Sequence, residues 1–230
     1  MIAERFHQVE EKIRAAQARR TNVPKDVPVT LVAVTKNHDV EAMREAIDAG
    51  AVEIGENRIQ EAESKYPVLD RDVKWHLIGH LQTNKAKKAV KYFDLIHSVD
   101  TVHLADALNH EAAKLDKVQP ILVQVNLAKE DSKSGVYYED LRPLLDHIDE
   151  LPNLELQGLM CIAPNYDDVE ECRPLFRKMY EIFQKVKEIP FKTANIKYLS
   201  MGMTHDYEIA VEEGANIVRV GTAIFGPRQY

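Results

Sequence analysis

The sequence predicts a single α/β domain, a TIM-type (β/α)8 barrel with one additional helix at its N-terminus. Eight short β-rich runs alternate with helical patterns from residue 29 to the end of the 230-residue chain. Strict alternation implies right-handed crossovers and a parallel sheet, and eight such units in this length match a closed barrel. No linker or change of composition divides the chain, so the predicted domain covers residues 1–230. A doubly wound open sheet is the alternative, and it is disfavoured because no glycine-rich dinucleotide loop follows the first strand.

Residues 1–20 predict an amphipathic helix that packs on the barrel. Apolar residues recur there at helical spacing, at Ile2, Phe6, Val9, Ile13 and Ala16. The segment has no apolar signal core, and no later segment approaches the roughly 18 uninterrupted apolar residues of a membrane span. We expect no membrane association, and the helix could cover the barrel floor or pair with another chain.

Each predicted strand is a short run rich in β-branched and other apolar residues, as is typical of buried parallel strands. The eight runs cover residues 29–35, 52–56, 74–79, 94–99, 120–126, 154–160, 196–201 and 216–221.

Helical patterns follow the strands in turn. They cover residues 40–50, 57–66, 84–92, 101–115, 138–151, 168–189, 205–215 and 222–226. Gly50 is a typical C-terminal stop for the first of these helices, and Thr101 is a good N-cap for the fourth. Pro174 lies near the start of the longest pattern, where a helix tolerates proline best.

The formal net charge is −7, from 30 basic and 37 acidic residues interleaved along the chain. This balance argues against nonspecific binding of nucleic acid. We interpret the basic run 84–91 as a solvated helix face, with a patch for an anionic partner as the alternative. Cys161 and Cys172 are too few for a disulfide framework and lack the spacing of a metal site, which suggests the reducing cytoplasm.

Lys36 ends the first strand, where the polar ends of all strands of a barrel converge on one site. It could be an ordinary surface lysine or a nucleophile held at the mouth of the barrel.

Strands 7 and 8 end in small and hydroxyl residues just before a helix. Backbone N–H groups and helix dipoles favour an anion at such positions, and these loops are where barrels most often bind phosphate. For one loop alone, turn residues and N-caps would be the better explanation, but two adjacent loops favour a phosphate site. The residues concerned are Ser200, Gly202, Thr204, Gly221 and Thr222.

Arg219 lies inside an apolar strand, where an unpaired charge is costly. It could pair with a carboxylate inside the barrel or contact a bound ligand. His76 and His80 do not share a helical face and lack a third ligand, so zinc is disfavoured and we predict no metal site. His205 and Asp206 are expected to cap the helix after strand 7.

A strand-end lysine and a phosphate site together suggest a cofactor with both an aldehyde and a phosphate. The sequence resembles the pyridoxal-phosphate-binding protein family, also called pyridoxal phosphate homeostasis proteins. The matching stretches run along almost the whole chain. They are "AVTK" (33–36), "GENRIQE" (55–61), "WHLIGHLQTNKAK" (75–87), "VNLAKEDSKSG" (125–135), "GLMCIAP" (158–164) and "LSMGMTHDYEIAVEEGANIVRVGTAIFG" (199–226).

The resemblance implies a barrel of the alanine racemase type that holds pyridoxal 5′-phosphate as a Schiff base on Lys36. It implies that Arg219 faces the pyridine nitrogen. Thr204 stands where many relatives have serine, which keeps the hydroxyl. The resemblance also implies phosphate contacts from Ser200, Thr204, Gly221 and Thr222. Asn57 and Met201 match motif positions that line the same pocket, and Gly202 lies in the same motif and is counted with the cofactor-binding residues.

The resemblance and Arg219 together predict a cofactor carrier without efficient catalysis. A guanidinium stays protonated, and its charge disfavours protonation of the pyridine nitrogen, so the ring becomes a weaker electron sink. Racemases of this barrel type use a second base, a tyrosine from a C-terminal β domain. The sequence stops at Tyr230, soon after the last helix, so we expect that domain to be absent.

Three hypotheses follow. The first is a binder that buffers pyridoxal phosphate, supports vitamin B6 and amino-acid homeostasis, and passes the cofactor to apo-enzymes. The second is an enzyme, either a small amino-acid racemase or another catalyst that depends on pyridoxal phosphate. The third is an aldolase using Lys36 and no cofactor, which the family motifs disfavour. We expect a monomer or a weak dimer.

Overall fold

The computed structural model describes residues 1–131 and 133–227. Eight parallel strands close into a barrel in the order of the chain, and β8 pairs with β1. The strands are β1 Thr30–Val34, β2 Glu53–Glu56, β3 Lys74–Leu77, β4 Leu95–Val99, β5 Gln119–Gln124, β6 Leu154–Met160, β7 Tyr198–Ser200 and β8 Ile217–Val220. The predicted barrel is confirmed, while Ser132 and residues 228–230 of the predicted domain lie outside the described residues.

The helices pack around the outside of the barrel. They are α1 Ile2–Ala18, α2 Val40–Asp48, α3 Ile59–Lys65, α4 Ala86–Tyr92, α5 Val102–Lys114, α6 Tyr138–Asp149, α7 Arg173–Glu188, α8 Tyr207–Glu212 and α9 Thr222–Phe225. The Thr101 hydroxyl accepts a hydrogen bond from Leu104 N at 3.0 Å, as expected of an N-cap. The predicted helix 168–189 begins with a 3-10 turn, Val169–Cys172, and Pro174 lies in the first turn of α7, where its missing N–H costs little. No helix within the described residues is long and apolar enough to cross a membrane.

Two apolar clusters form the core. The larger lies between the sheet and the helices, and the smaller lies inside the barrel. Buried members of the smaller cluster are Val32, Leu95, Leu122, Met160 and Ile217. Because side chains alternate along a strand, the inward positions two residues further on form the next layer towards the strand ends. That next layer is more polar, and it contains His97, Gln124 and Arg219 beside the apolar Val34 and Ile162.

The amphipathic helix predicted for residues 1–20 is α1, and it packs against α2, α8 and α9. The helix after β8, α9, has only 4 residues, and α1 fills the gap that it leaves in the outer ring. Arg5 Nε donates to Ile224 O at 2.7 Å, and the buried Arg20 donates to Val211 O and Ala215 O, each at 2.8 Å. Of the two expectations for this helix, covering the floor is wrong, because its apolar face lies at the side of the barrel.

Strand β6 contains one extra residue opposite β5, a β-bulge. Ile121 is level with Leu156, whereas the next residue, Leu122, is level with Gly158. Gly158 has φ +151, and a Cβ on it would lie 1.8 Å from Tyr198 O in β7. Only glycine fits this approach of two backbones, so Gly158 sets the position of β7.

Candidate functional site

A cavity of about 700 Å³ opens at the C-terminal ends of the strands. Its size lies within the range of ligand sites, roughly 300–1,000 Å³. The chain brings six of the predicted residues to its wall. They are Lys36, Asn57, Thr204, Arg219, Gly221 and Thr222.

Lys36 lies on a tightly anchored turn after β1. Thr35, which precedes it, is fully buried, and its N–H donates to Gly55 O in β2 at 2.9 Å. Asn37, which follows it, has φ +63, and its N–H donates to Glu61 Oε1 at 2.5 Å. Hydrogen bonds on both sides hold the backbone of Lys36 in place. Its half-buried side chain is therefore anchored at a defined position on the pocket wall.

A buried ion-pair cluster lies beneath this turn. Lys65 Nζ contacts Glu56 Oε1 at 2.6 Å and Glu61 Oε1 at 2.9 Å, and it donates to Thr35 O at 2.8 Å. Burial raises the pKa of Glu56 to about 7, although the charge of Lys65 opposes this shift. The second oxygen of Glu56 is buried without a hydrogen-bond partner among the described residues. The turn that carries Lys36 therefore rests on a carboxyl group that titrates near neutral pH.

The loops after β7 and β8 meet at the pocket. Thr204 Oγ1 accepts a hydrogen bond from Gly221 N at 3.3 Å. Gly202 has φ +104, and a Cβ on it would lie 2.7 Å from Ala210 Cβ, so glycine lets this loop pack against α8. The helices that follow these loops, α8 and α9, have only 6 and 4 residues. Their dipoles therefore contribute less to an anion site than the sequence predicted. Hydroxyl and amide groups are the main donors at this edge.

Arg219 crosses from β8 into the pocket wall. It is 3% exposed, and its guanidinium donates to Ser200 Oγ at 2.5 Å and to Cys161 O at 3.0 Å. Burial lowers the pKa of Arg219 from its ordinary value, yet a guanidinium remains charged near neutral pH. None of the ion pairs among the described residues includes Arg219. A carboxylate partner inside the barrel is therefore not what holds it.

Three predicted residues are absent from the pocket wall. Ser200 and Met201 are fully buried, and Gly202 is buried as well. The Ser200 hydroxyl contacts His97 Nδ1 at 3.0 Å in addition to Arg219. The sequence did not indicate a role for His97. The one feature that could have done so is the presence of a polar residue inside an apolar strand.

Other pocket residues were also missed. The loop after β5 meets the loop after β3, where Ser134 Oγ lies 3.0 Å from His80 Nδ1. Lys133 also lines the pocket and donates to Ala163 O at 3.1 Å. These residues lie in loops without a regular pattern, so only the family motif "VNLAKEDSKSG" marked that segment.

The expected cap of α8 is wrong in detail. Asp206 precedes the helix, but its carboxylate accepts a hydrogen bond from Met203 N, at 2.8 Å in the preceding loop. His205 Nε2 lies 3.0 Å from Tyr166 O and so ties this loop to the one after β6. Asp206 holds the expected N-cap position of α8 but makes no side-chain cap hydrogen bond, and His205 shapes the loop without capping the helix. Within the described part of the chain, no group of 3 or more metal-binding side chains comes together.

Comparison with known proteins identifies the family. The model for the N-terminal domain of alanine racemase matches residues 8–229. The pyridoxal phosphate homeostasis protein of Aquifex aeolicus is 42% identical over 231 residues, which cover 99% of this chain and 98% of that one. The chain belongs to the pyridoxal phosphate homeostasis protein family. Its relative of the same name in Escherichia coli K12 is 38% identical over 235 residues, covering 100% of this chain and 97% of the other.

Solved structures within this family share the whole fold. PipY of Synechococcus elongatus, solved without pyridoxal phosphate, has a TM-score of 0.87 and 38% identity, covering 98% of this chain and 100% of that one. The structure of PipY with pyridoxal phosphate bound has a TM-score of 0.82. The alanine racemase of Clostridium difficile has a TM-score of 0.72 at 15% identity, so it shares the barrel fold alone. The family and fold expected from the sequence are confirmed.

Proposed function

We propose that this chain binds pyridoxal 5′-phosphate in the pocket, holds it as a Schiff base on Lys36 and serves pyridoxal phosphate homeostasis. One observation carries the proposal. A lysine, an arginine and a set of hydroxyl and amide donors line a single pocket of suitable size. The names of the relatives and the PipY complex support the same cofactor.

The donor set fits the cofactor group by group. The amine of Lys36 can condense with an aldehyde, a step that forms a C=N bond and releases one water. The hydroxyls of Thr204 and Thr222 offer donors to a phosphate, and Gly221 N, which donates to Thr204 Oγ1, holds the first of these hydroxyls in place. Arg219 offers a donor and a fixed charge to the ring, and Asn57 lines the same wall.

The same donor set favours carriage over catalysis. An aspartate beside the pyridine nitrogen would keep it protonated, whereas the guanidinium of Arg219 disfavours that proton. When bound, the cofactor supplies an electrophilic carbon and an electron sink, and Arg219 weakens the sink. Within this proposal the protein is a cytoplasmic monomer or weak dimer, and its acceptors are apo-enzymes that need the cofactor.

The test is reductive trapping with borohydride followed by peptide mapping. Pyridoxal phosphate should label Lys36, and Lys36→Ala should abolish the imine absorbance of the purified protein while its thermal unfolding remains cooperative. Lys133→Ala is the matched control, because Lys133 lines the same pocket and its loss should leave the label in place. A label on Lys133, or an unchanged imine band in Lys36→Ala, would show that the link is assigned to the wrong residue.

A further inference from the structure

A buried chain of hydrogen bonds crosses the barrel interior from its floor to the pocket. Glu53 Oε1 lies 3.0 Å from His76 Nε2, and His76 Nδ1 lies 2.8 Å from His97 Nε2. His97 Nδ1 lies 3.0 Å from Ser200 Oγ, to which Arg219 Nη1 donates at 2.5 Å. Strands β2, β3, β4, β7 and β8 supply one member each. Two histidines, a serine and an arginine in a core are costly unless each polar atom is satisfied.

Arg219 favours one direction of this chain, because a guanidinium can only donate and leaves the Ser200 hydroxyl hydrogen available for His97. Ser200 accepts from Arg219, so its own hydroxyl hydrogen can point to His97 Nδ1. His97 then carries its hydrogen on Nε2 and donates to His76 Nδ1. His76 in turn donates from Nε2 to the carboxylate of Glu53, which reaches the barrel floor. Every hydrogen has an acceptor when both imidazoles are neutral.

The electrostatics agree with this direction. Full burial, the neighbouring His76 and the charge of Arg219 hold the pKa of His97 well below its ordinary value. The opposite direction would place hydrogens on Nδ1 of both histidines and require a further hydrogen, either on His76 Nε2 or on the Glu53 carboxyl group. It would also leave the Ser200 hydroxyl hydrogen without an acceptor in the chain.

We propose that Ser200 and His97 are positioning residues, which hold the Arg219 guanidinium at the pocket wall, and that Ser200 does not bind the phosphate. This inference deepens the proposed function, because Arg219 is the group that faces the cofactor ring. Without Ser200, the remaining hydrogen bond described for the guanidinium is the one to Cys161 O, about which it can rotate. The family-based role of Ser200 in the phosphate site is the competing assignment.

The first test needs no cofactor. In the wild-type protein, imidazole ¹⁵N NMR should show both His76 and His97 as neutral tautomers protonated on Nε2. Arg219→Leu should release Ser200 and give mixed tautomers, whereas Arg219→Lys, which still only donates, should keep the wild-type pattern. Protonation of His97 on Nδ1 in the wild type would overturn the proposal, even if pyridoxal phosphate binds as expected.

The second test compares two ligands that differ only in the phosphate, pyridoxal phosphate and pyridoxal. Ser200→Ala and His97→Leu should weaken both ligands by the same factor, roughly three- to tenfold for one net hydrogen bond. Both variants should also shift the absorbance maximum of the bound ring. His97→Asn keeps an acceptor near the Nδ1 position and should restore both properties. Thr204→Val should weaken pyridoxal phosphate alone.

The outcomes separate the two assignments. Loss of affinity for pyridoxal phosphate with unchanged affinity for pyridoxal in Ser200→Ala would make Ser200 a phosphate ligand and refute the positioning role. If the wild type binds neither ligand, the proposed function fails, and the NMR tautomers still decide whether the chain has the proposed direction.

Discussion

Thr204 and Thr222 come from different loops and offer two hydroxyls to the same edge of the pocket. A hydrogen bond to a charged phosphate contributes roughly 1.5–3 kcal/mol. Thr204→Val should therefore weaken binding of pyridoxal phosphate about tenfold or more, and Thr204→Val with Thr222→Val should weaken it further. Spectroscopic titration measures both. Thr83→Val, in the 3-10 turn before α4 and outside the pocket wall, is the control. An unchanged affinity in the double variant would mean that the phosphate binds elsewhere.

Glu56 should make the stability of the fold depend on pH in an uncommon direction. Its pKa is raised from 4.5 to about 7 when folded, so in this window the folded chain keeps a proton that the unfolded chain releases. Stability from this group is thus present at low pH and is lost as pH rises through the window, at about 1.4 kcal/mol per pH unit. The neighbouring charges are Lys65 and Glu61.

Urea unfolding of the wild type and Glu56→Gln at about pH 5 and about pH 7.5 measures this effect. The stability of the wild type relative to the variant should fall by a few kcal/mol between the two conditions. Glu61→Gln, which removes the other carboxylate of Lys65, controls for the lost ion pair. A difference that does not change with pH would mean that Glu56 stays ionised throughout.

At the residue scale, the sequence correctly placed in the pocket those side chains whose position follows from the topology of the barrel alone. Lys36, Thr204 and Thr222 follow strands whose ends converge in any barrel, so the barrel itself brings them to one pocket. His97 and Ser200 are different, because their contact joins residues 103 apart and depends on which layer each side chain occupies. Period-two alternation predicts whether the side chain of a strand residue points into or out of the barrel. The layer of the barrel interior that it occupies depends on the stagger between strands, which a single sequence does not reveal.

At the scale of elements, the bulge in β6 makes a sharp prediction. Gly158→Ala adds a Cβ that would lie 1.8 Å from a backbone oxygen of β7 and strains a positive φ, so it should destabilise the fold by about 3 kcal/mol or more. Gly50→Ala shares the strain, with φ +123, but its nearest atom would be at 3.6 Å. It should cost only about 1–2 kcal/mol. Equal losses in urea unfolding would mean that the contact with β7 relaxes freely.

The helices show what an amphipathic pattern can and cannot predict. Phe6, Val9 and Ile13 were expected on the buried face of α1, and all three are buried. The partner of that face was left open, because the pattern reveals an apolar stripe and not the gap it fills. The sequence predicted a short last helix at 222–226, as α9 is, but it did not show that α1 would take the place beside it.

For the molecule as a whole, we expect carriage of the cofactor to outpace any turnover of amino acids. Racemisation needs an acid/base group on each face of the α-carbon, and each contributes roughly 100- to 10,000-fold to the rate. In the proposed arrangement Arg219 weakens the ring as an electron sink, so racemase or transaminase turnover should stay below about one per minute, against a median near 10 per second for enzymes.

A panel of D- and L-amino acids assayed with the loaded protein tests this prediction, with Lys36→Ala as the background. A second assay follows reactivation of an apo-enzyme that accepts pyridoxal phosphate, which the loaded protein should support. Rapid inversion of any common amino acid that depends on Lys36 would instead favour the racemase hypothesis.

The position of α1 also has a consequence for biosynthesis. Its contacts with α8 and α9 join the earliest described segment to the latest, as in the bond between Arg5 and Ile224, which are 219 residues apart. At about 5–20 residues per second, a ribosome needs roughly 10–40 s to make the chain between them. The apolar face of α1 stays without its partners for that time, and β1 stays without β8 for nearly as long. Closure of the barrel and docking of α1 therefore become one late event, and the nascent chain exposes both surfaces until it occurs.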